Sequence, residues 1–108
     1  MKQKQKRIKV EYGLEVTIVT FNDESILDEG QIRELQESLK PIIEKNKDNQ
    51  MVMNFANVRF MTSAMLGLLI RVHKRVSERG GKLRLCNLEP GLRKVFEITQ
   101  LTKIFDIS

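Results

Sequence analysis

The sequence predicts a single α/β domain in which a mixed sheet of about four main strands carries helices packed mainly on one face. Three observations lead to this prediction. The chain has 108 residues, which suits one domain with one modest core. Short runs with the two-residue period of strands alternate with longer stretches that have the 3.6-residue period of helices. The run MVMNF at residues 51–55 is almost wholly apolar, which is typical of a strand covered by other elements.

The first two strands are expected to form an antiparallel hairpin. Apolar residues alternate with polar ones on both sides of Gly13, at Ile8, Val10 and Tyr12 before it and at Leu14, Val16 and Ile18 after it. This alternation predicts two strands joined at Tyr12-Gly13. The polar residues 22–25 then predict a loop.

A first helix is predicted over residues 28–46. Asp28 stands three residues before Gln31, which matches a helix N-cap with its reciprocal partner. One helical face is apolar and consists of Ile32, Leu35, Leu39, Ile42 and Ile43. Pro41 lies inside this pattern and is expected to kink or split the helix, because proline removes a backbone hydrogen bond and crowds the preceding turn.

A second long helix is predicted over residues 63–79. Its apolar face consists of Met65, Leu66, Leu68, Leu69, Val72 and Val76. Gly80 and Gly81 should end it, because glycine tolerates the left-handed backbone conformation found beyond helix ends. Right-handed crossovers between parallel strands would place both long helices on the same side of the sheet.

The last part of the chain predicts one more strand and a short helix. Leu83 and Leu85 mark the strand, and Pro90 occupies the position expected for the first residue of a helix. The apolar face of that helix is Leu92, Val95 and Phe96, and a final turn holds Leu101, Ile104 and Phe105.

The net charge of +5 is concentrated at the start of the chain. Five of the 19 basic residues precede Glu11, so the remaining 14 are balanced by 14 acidic residues. We therefore expect residues 1–7 to be a basic flexible tail, with the folded domain at residues 8–108. A neutral body argues against a nucleic-acid partner.

Other features of composition limit the location and the chemistry. No run approaches the roughly 20 apolar residues of a membrane span, and no signal-peptide core follows the basic N-terminus. We expect a cytoplasmic protein that does not insert into a membrane. Cys86 is the single cysteine, so it has no partner for an internal disulfide, and its place at the end of a strand favours a small buried core residue.

The search for catalytic groups predicts that the protein is not an enzyme. His73 is the single histidine, and we expect it on the exposed side of a helix without a second metal ligand. Gly80-Gly81 follows a helix rather than opening one, so it lacks the backbone donors that cradle phosphate. We predict no catalytic residue, no metal site and no cofactor.

The stretch FMTSAMLGLL at residues 60–69 places two hydroxyls, Thr62 and Ser63, between apolar residues at the start of the second helix. One interpretation is that either hydroxyl is only a helix cap. The other is that one hydroxyl is a site of chemical modification. Gly67 lies one turn further on, where glycine costs about 1 kcal/mol relative to alanine, and we expect it to allow close approach of a neighbouring backbone.

Together with the residues on either side of this stretch, the chain resembles the STAS domain, the family of bacterial anti-sigma-factor antagonists. The resemblance covers roughly residues 8–107 and is most specific over residues 51–105. The family has a motif of the type Asp-Ser-Ser-Gly-Leu-Gly at a helix start, and here residues 62–67 read TSAMLG. Gly80-Gly81 corresponds to the glycine pair after the helix, and residues 99–101 correspond to the closing segment of the family.

The resemblance implies a substrate and switch rather than an enzyme. STAS antagonists are typically phosphorylated by an anti-sigma-factor kinase on the serine after the motif aspartate, which is the position of Ser63. The unphosphorylated form then binds the anti-sigma factor and releases the sigma factor, and a serine phosphatase resets the phosphorylated form. The resemblance makes Ser63 the expected phosphoacceptor, with Thr62 as the alternative acceptor. The expected partner-binding residues are Asn54, Met61, Thr62, Ser63, Ala64, Met65 and Leu66.

A second hypothesis is a STAS module that is not phosphorylated. Such a module would be an interaction subunit or scaffold, for example in a lipid-transport or signalling complex. Met61 and Met65, which flank the two hydroxyls, would suit adaptable contacts with a partner helix.

Overall fold

The computed structural model describes residues 7–108, in which strands and helices alternate along the chain. The strands are β1 (Ile8–Tyr12), β2 (Val16–Phe21), β3 (Ser25–Ile26), β4 (Gln50–Asn54), β5 (Phe60–Met61), β6 (Lys82–Cys86) and β7 (Asp106–Ile107). The helices are α1 (Glu29–Lys45), α2 (Ser63–Glu78) and α3 (Pro90–Ile98), and a 3-10 turn at Leu101–Lys103 precedes β7.

Five strands form one mixed sheet in the order β1-β2-β4-β6-β7. β1 and β2 are antiparallel, which confirms the expected hairpin, whereas the other neighbours in this sheet are parallel. Parallel neighbours need crossover connections, which α1 and α2 supply on either side of β4. Right-handed crossovers in the same direction place both helices on one face. The predicted mixed sheet with helices mainly on one face is confirmed, and β7 adds a two-residue strand that the sequence did not predict.

The two faces of the sheet differ in burial. Val19, Met53 and Leu85 point toward the helices and have an exposed fraction of 0%. Their alternate neighbours, for example Ile18 and Val52, are only half-buried. Because side chains alternate across a strand, this difference means that the core lies on one side of the sheet, between the strands and the helices.

The residues of β2 that face the core are not the ones whose alternation predicted the strand. Leu14 lies in the hairpin turn with an exposed fraction of 98%, and Val16 and Ile18 are half-buried. The buried residues of β2 alternate with them and include Val19 and Phe21. β2 is an interior strand whose two faces are both largely apolar, so alternation alone does not distinguish them.

Helix α1 has the predicted cap but not the predicted break. The Asp28 side chain accepts a hydrogen bond from the Gln31 N–H at 2.8 Å, and the Gln31 side chain accepts one from the Asp28 N–H at 3.2 Å. This reciprocal pair confirms the predicted N-cap. Pro41 does not split the helix, which is continuous from Glu29 to Lys45. The proline is exposed, so its ring lies on the side of the helix away from the core. A kink at Pro41 stays a prediction.

The end of α2 and the start of α3 lie where the conformational preferences of single residues predict them. Gly80 follows α2 with a φ of 82°, the left-handed conformation that favours glycine, and Pro90 is the first residue of α3, as predicted. Leu92 and Phe96 are buried beneath α3. Val95 was expected on the same face, but it is exposed, because a nine-residue helix at the edge of the sheet buries only a narrow stripe.

Arg7 belongs to the folded body and not to a flexible tail. Its guanidinium contacts the Asp23 carboxylate at 2.7 Å and the Glu34 carboxylate at 2.5 Å, which ties the start of β1 to the loop after β2 and to α1. These carboxylates raise the pKa of Arg7 above its ordinary value, Glu34 contributing most. The predicted tail at residues 1–7 is therefore too long by this residue, and residues 1–6 lie outside the described residues.

The capping box of α1 generates a prediction about stability. Asp28→Ala removes the oxygen that accepts from the Gln31 N–H and should lower the free energy of unfolding by about 1 kcal/mol. Urea unfolding followed by circular dichroism measures the change. Asp28→Asn keeps a side-chain oxygen and is the matched control, for which a loss equal to that of the alanine variant would contradict the capping role.

Candidate functional site

The loop between β4 and α2 is held in place by a small second sheet. β5 pairs in parallel with β3, so that Ser25 lies opposite Phe60 and Ile26 lies opposite Met61. The N–H group of Phe60 also donates to the Glu24 carbonyl oxygen at 3.2 Å. This two-stranded sheet was not predicted, because the residues that form β3 follow a polar loop and show no alternation. It fixes the approach of the chain to α2.

Thr62 is the N-cap residue of α2, but its hydroxyl does not cap the helix. Its backbone N–H donates to the Ile26 carbonyl oxygen at 3.2 Å, and its carbonyl oxygen accepts from the Met65 N–H at 3.0 Å. Its Oγ1 is buried and has no hydrogen-bond partner among the described residues. The hydroxyl of Thr62 is therefore turned away from solvent and away from the helix N–H groups.

Ser63 is the first residue of α2 and is exposed. Within residues 7–108 its hydroxyl makes no hydrogen bond and no ion pair. The helix-cap interpretation correctly places a hydroxyl residue at the N-cap, but neither Thr62 nor Ser63 makes the capping hydrogen bond. The Ser63 oxygen is thus free to meet solvent or a second protein.

The electrostatics of the start of α2 differ from those of the other two helices. α1 has the Asp28 cap and Glu29 in its first turn, and the Glu89 side chain accepts a hydrogen bond from the Gly91 N–H at the start of α3. The first turn of α2 contains no acidic residue and no side-chain cap. Its N-terminal N–H groups, which carry the positive end of the helix dipole, are therefore not compensated by a carboxylate.

The other predicted partner-binding residues on β5 and α2 differ in how exposed they are. Ala64 is exposed at the start of α2, and Met61 and Leu66 are half-buried beside it. Met65, however, has an exposed fraction of 0%, because it lies on the core face of the helix. Its assignment to a partner surface is corrected on this ground.

Asn54 lies at the end of β4. Its side chain forms hydrogen bonds with the loops that follow β4 and β6 rather than with the start of α2. Its Oδ1 accepts from the Ala56 N–H at 3.0 Å and from the Asn87 side-chain amide at 2.9 Å. These bonds join the loop after β4 to the loop after β6. A direct role for Asn54 at the partner surface stays a prediction.

Two large apolar side chains near Ser63 were not named as site residues from the sequence. Leu27 follows β3 and Phe60 lies in β5, with exposed fractions of 54% and 56%. The register of β3 and β5, continued by one residue, places Leu27 beside Thr62. Exposed apolar groups next to one another often mark a site of protein contact. We call Leu27, Phe60 and Leu66 the apolar rim. The sequence signal was the apolar pair Phe60-Met61 before the two hydroxyls, but the exposure of Phe60 depends on the fold.

His73 and Cys86 differ in detail from expectation. His73 is half-buried, and its ring makes an edge contact with Phe105 at 5.5 Å between ring centroids. Cys86 is half-buried rather than fully buried, and this partial burial raises the pKa of its thiol. A thiol with a raised pKa is protonated at neutral pH and is a poor nucleophile.

The described residues provide neither a cluster of metal ligands nor a membrane-spanning helix. Between residues 7 and 108, no group of three or more His, Cys, Asp or Glu side chains is arranged to hold a metal ion. No helix within the same residues is long and apolar enough to cross a membrane.

Comparisons with known proteins agree with this architecture. Residues 6–108 match the family model of the STAS domain. A protein of Bacillus subtilis (strain 168) named anti-sigma-B factor antagonist is 38% identical over 74 residues, which are 68% of this chain and 66% of that protein. The solved structure of an anti-sigma-factor antagonist (STAS) domain protein from Planctomyces limnophilus has a TM-score of 0.80 and 20% identity, covering 93% of this chain and 87% of that chain.

A second solved structure represents a modified state of a similar fold. It is the Bacillus cell fate determinant SpoIIAA in the phosphorylated form, with a TM-score of 0.70 and 19% identity, covering 94% of this chain and 90% of that chain. At such identity the likeness concerns the fold alone. The STAS-type fold expected from the resemblance is confirmed.

Gly67 generates a prediction about stability. A Cβ atom added there would meet only the Arg71 guanidinium, at 3.7 Å, so the expected close approach of a neighbouring backbone is absent. Gly67→Ala should therefore raise the free energy of unfolding by about 0.5–1 kcal/mol. The control is Gly80→Ala, which should destabilise, because Gly80 has a φ of 82° and an added Cβ would overlap the Asp48 carboxylate. Thermal and urea unfolding measure both variants; destabilisation by Gly67→Ala would contradict the prediction.

Proposed function

We propose that this chain, which belongs to the STAS domain family, is an anti-sigma-factor antagonist whose binding surface surrounds Ser63. In this proposal the unphosphorylated protein binds an anti-sigma factor that is also a serine kinase, and phosphorylation of Ser63 ends the binding. A serine phosphatase restores the binding form, and the cycle takes place in the cytoplasm. The name of the Bacillus subtilis relative supports the class of partner. The observation that carries the proposal is the exposed, unbonded hydroxyl of Ser63 at an uncapped helix start.

Accessibility favours Ser63 over Thr62 as the phosphoacceptor. A kinase must reach the acceptor oxygen and place it in line with the γ-phosphate of ATP. The Ser63 side chain is exposed, whereas the Thr62 Oγ1 is buried. Phosphorylation of Thr62 would require the start of α2 to open and break the hydrogen bond between its N–H and the Ile26 carbonyl oxygen.

The local electrostatics favour a fold that tolerates the phosphate. A phosphoserine carries a charge of about −1.5 to −2 at pH 7. At Ser63 this charge would meet the positive end of the α2 dipole and backbone N–H groups that have no side-chain cap. No carboxylate stands in the first turn of α2 to repel it. The phosphorylated protein should therefore keep its fold.

The same charge should nevertheless disrupt a complex. A partner that docks on Ser63 would cover the apolar rim, in which Leu27 and Phe60 are exposed and Leu66 is half-buried. Exposed apolar side chains are the surface that gains most from burial. A phosphate within such an interface must lose water without gaining a partner charge. Binding is therefore strong when Ser63 is free and weak when it is phosphorylated.

Phosphorylation of Ser63 is the first test. Incubation with candidate anti-sigma kinases and ATP, followed by intact mass measurement, should show addition of one phosphate. Ser63→Ala should abolish the addition, and Thr62→Val, which removes the neighbouring hydroxyl at nearly constant volume, should leave it unchanged. Ser63→Ala should change the free energy of unfolding by less than about 0.5 kcal/mol, because the hydroxyl caps nothing. Titration calorimetry of the partner with unmodified and phosphorylated protein then measures the switch.

The outcomes of that experiment distinguish the two hypotheses. Equal affinity of the partner for unmodified protein and for protein verified to carry phosphate on Ser63 would refute the switch. Partner binding without any phosphorylation by the candidate kinases would support the unphosphorylated STAS module instead. Phosphate on Thr62 in the Ser63→Ala variant would contradict the argument from accessibility.

The apolar rim is the second test, and the chain offers a matched control. Leu27→Ser should weaken binding of the anti-sigma partner at least tenfold, because truncation of a large apolar side chain that becomes buried in an interface can cost more than about 1 kcal/mol. Leu14→Ser makes the same change at an exposed leucine in the turn at the other end of the sheet and should leave binding unchanged. Calorimetry measures the affinities, and thermal unfolding checks that both variants stay folded. Equal effects of the two substitutions would exclude the rim from the interface.

A further inference from the structure

β1 is an edge strand whose outer side is not paired with another strand among the described residues. β1 is the first strand in the sheet order, and no strand within residues 7–108 pairs with its outer side. An edge strand presents a row of backbone N–H and C=O groups that can pair with another chain. β1 spans the five residues Ile8–Tyr12, which is long enough for a regular ladder.

The hydrogen bonds between β1 and β2 show which residues face the free edge. The Asn22 N–H donates to the Arg7 carbonyl oxygen at 2.9 Å, and the Gly13 N–H donates to the Val16 carbonyl oxygen at 2.7 Å. In an antiparallel pair, bonded and non-bonded residues alternate along the strand. Because Arg7 and Gly13 form hydrogen bonds to the β2 side, the odd-numbered residues of this segment direct their backbone groups toward β2. The even-numbered residues between them direct their backbone groups outward. These residues are Ile8, Val10 and Tyr12.

The side chains of β1 are divided between two surfaces. Ile8, Val10 and Tyr12 line a groove of about 1100 Å³ between β1 and α1. Tyr12 is 57% exposed there, a large aromatic surface for a strand edge. Lys9 and Glu11 alternate with these residues along the strand, which directs their side chains to the opposite face. Both are exposed, and neither forms an ion pair within the described residues.

We propose that β1 pairs with β1 of a second copy of this chain, antiparallel and with Val10 on the two-fold axis. In this register Val10 lies opposite Val10 of the second copy and exchanges both backbone hydrogen bonds with it. Ile8 lies opposite Tyr12 in the same bonded arrangement, so every outward backbone group finds a partner. The two sheets become continuous, and the apolar side chains of each edge strand pack against those of the other.

The charges of β1 select this register. With Val10 at the centre, Lys9 of each copy lies opposite Glu11 of the other, in the non-bonded pairs whose side chains approach most closely. A shift of the axis to Lys9 would place two lysines opposite each other, and a shift to Glu11 would place two glutamates opposite each other. Opposite charges in cross-strand pairs stabilise a sheet and like charges destabilise it. The order Lys9-Val10-Glu11 is thus complementary to itself.

The predicted dimer is weak, because two short edge strands bury little surface. Interfaces below about 1,200 Å² in total are typical of transient association. This interface lies along a lateral edge of the sheet, whereas Ser63 lies at the helix start that follows β4 and β5. The proposal is independent of phosphorylation and goes beyond the function proposed above.

Sedimentation velocity of the unphosphorylated full chain tests the self-association. Protein concentrations of about 10 μM to 1 mM detect weak dimers, and about 0.15 M salt screens long-range repulsion. The wild type should form a reversible dimer. Lys9→Glu and Glu11→Lys should each raise the dissociation constant at least about fivefold, because each places like charges opposite each other. The double variant Lys9→Glu/Glu11→Lys should recover the wild-type value, and an equimolar mixture of the two single variants should form the mixed dimer.

Controls separate this edge from general charge effects and from the backbone. Lys82→Glu changes the net charge by the same amount on the same open face of the sheet, but on β6, and should leave the dissociation constant unchanged. Val10→Pro removes the outward N–H group and should abolish the dimer, while circular dichroism and thermal unfolding verify the fold. A wild type that stays monomeric throughout the concentration range overturns the proposal. So does a dimer that is insensitive to the Lys9 and Glu11 reversals, since it would use another surface.

Discussion

The burial of β4 between two parallel neighbours is the constraint on which the rest of the structure depends. β4 pairs with β2 on one side and β6 on the other, and Met51 and Met53 have no exposed surface. Each parallel pairing requires a long crossover, so α1 and α2 must lie over this strand and against each other. The carboxyl ends of the three strands then meet at one edge of the sheet, which is where binding sites of α/β proteins commonly form.

The loops at this edge are ordered by buried apolar side chains, such as Phe55 and Val58 of the loop after β4, and by specific hydrogen bonds. The Asn57 side-chain amide donates to the Phe21 carbonyl oxygen at 3.1 Å, which ties the loop after β4 to the end of β2. The pairing of β3 with β5 adds a second tie, and the bond between Asn54 and Asn87 adds a third. Because these bonds satisfy backbone and amide groups that would otherwise be unpaired, they fix where α2 begins. An exposed hydroxyl on that first turn is therefore presented in a defined position.

The sequence predicted those features that depend on local chemistry. The Asp28 capping box, Gly80 after α2 and Pro90 at the start of α3 each follow from the preferences of single residues for helix ends. The two long helices were found because their apolar faces repeat with the helical period over several turns. The antiparallel hairpin was found for a similar reason, since its alternation is regular, but alternation alone does not show which face of β2 is buried.

What the sequence did not predict depends on tertiary contacts. β3 and β7 have two residues each, too few for any period, and they exist because a neighbouring strand end lies beside them. The position of the candidate site followed from its motif, but the burial of Met65 and of the Thr62 oxygen depends on how α2 is rotated on the sheet. The exposure of Phe60 likewise depends on which side of β5 faces solvent, which a two-residue strand does not encode.

The hydroxyls of Thr62 and Ser63 have different surroundings, so a modification of Ser63 should affect binding more than folding. The Thr62 oxygen is buried and has no hydrogen-bond partner among the described residues, so it belongs to the packed interior and not to the binding surface. The Ser63 oxygen, one residue later, is exposed and contributes almost nothing to the fold. A phosphate added to Ser63 therefore has few native contacts to break, and its free energy acts mainly on whatever lies against the surface. This follows from the change of backbone conformation between the two residues, since Thr62 is extended and Ser63 begins the helix, which directs one hydroxyl into the protein and the other into solvent.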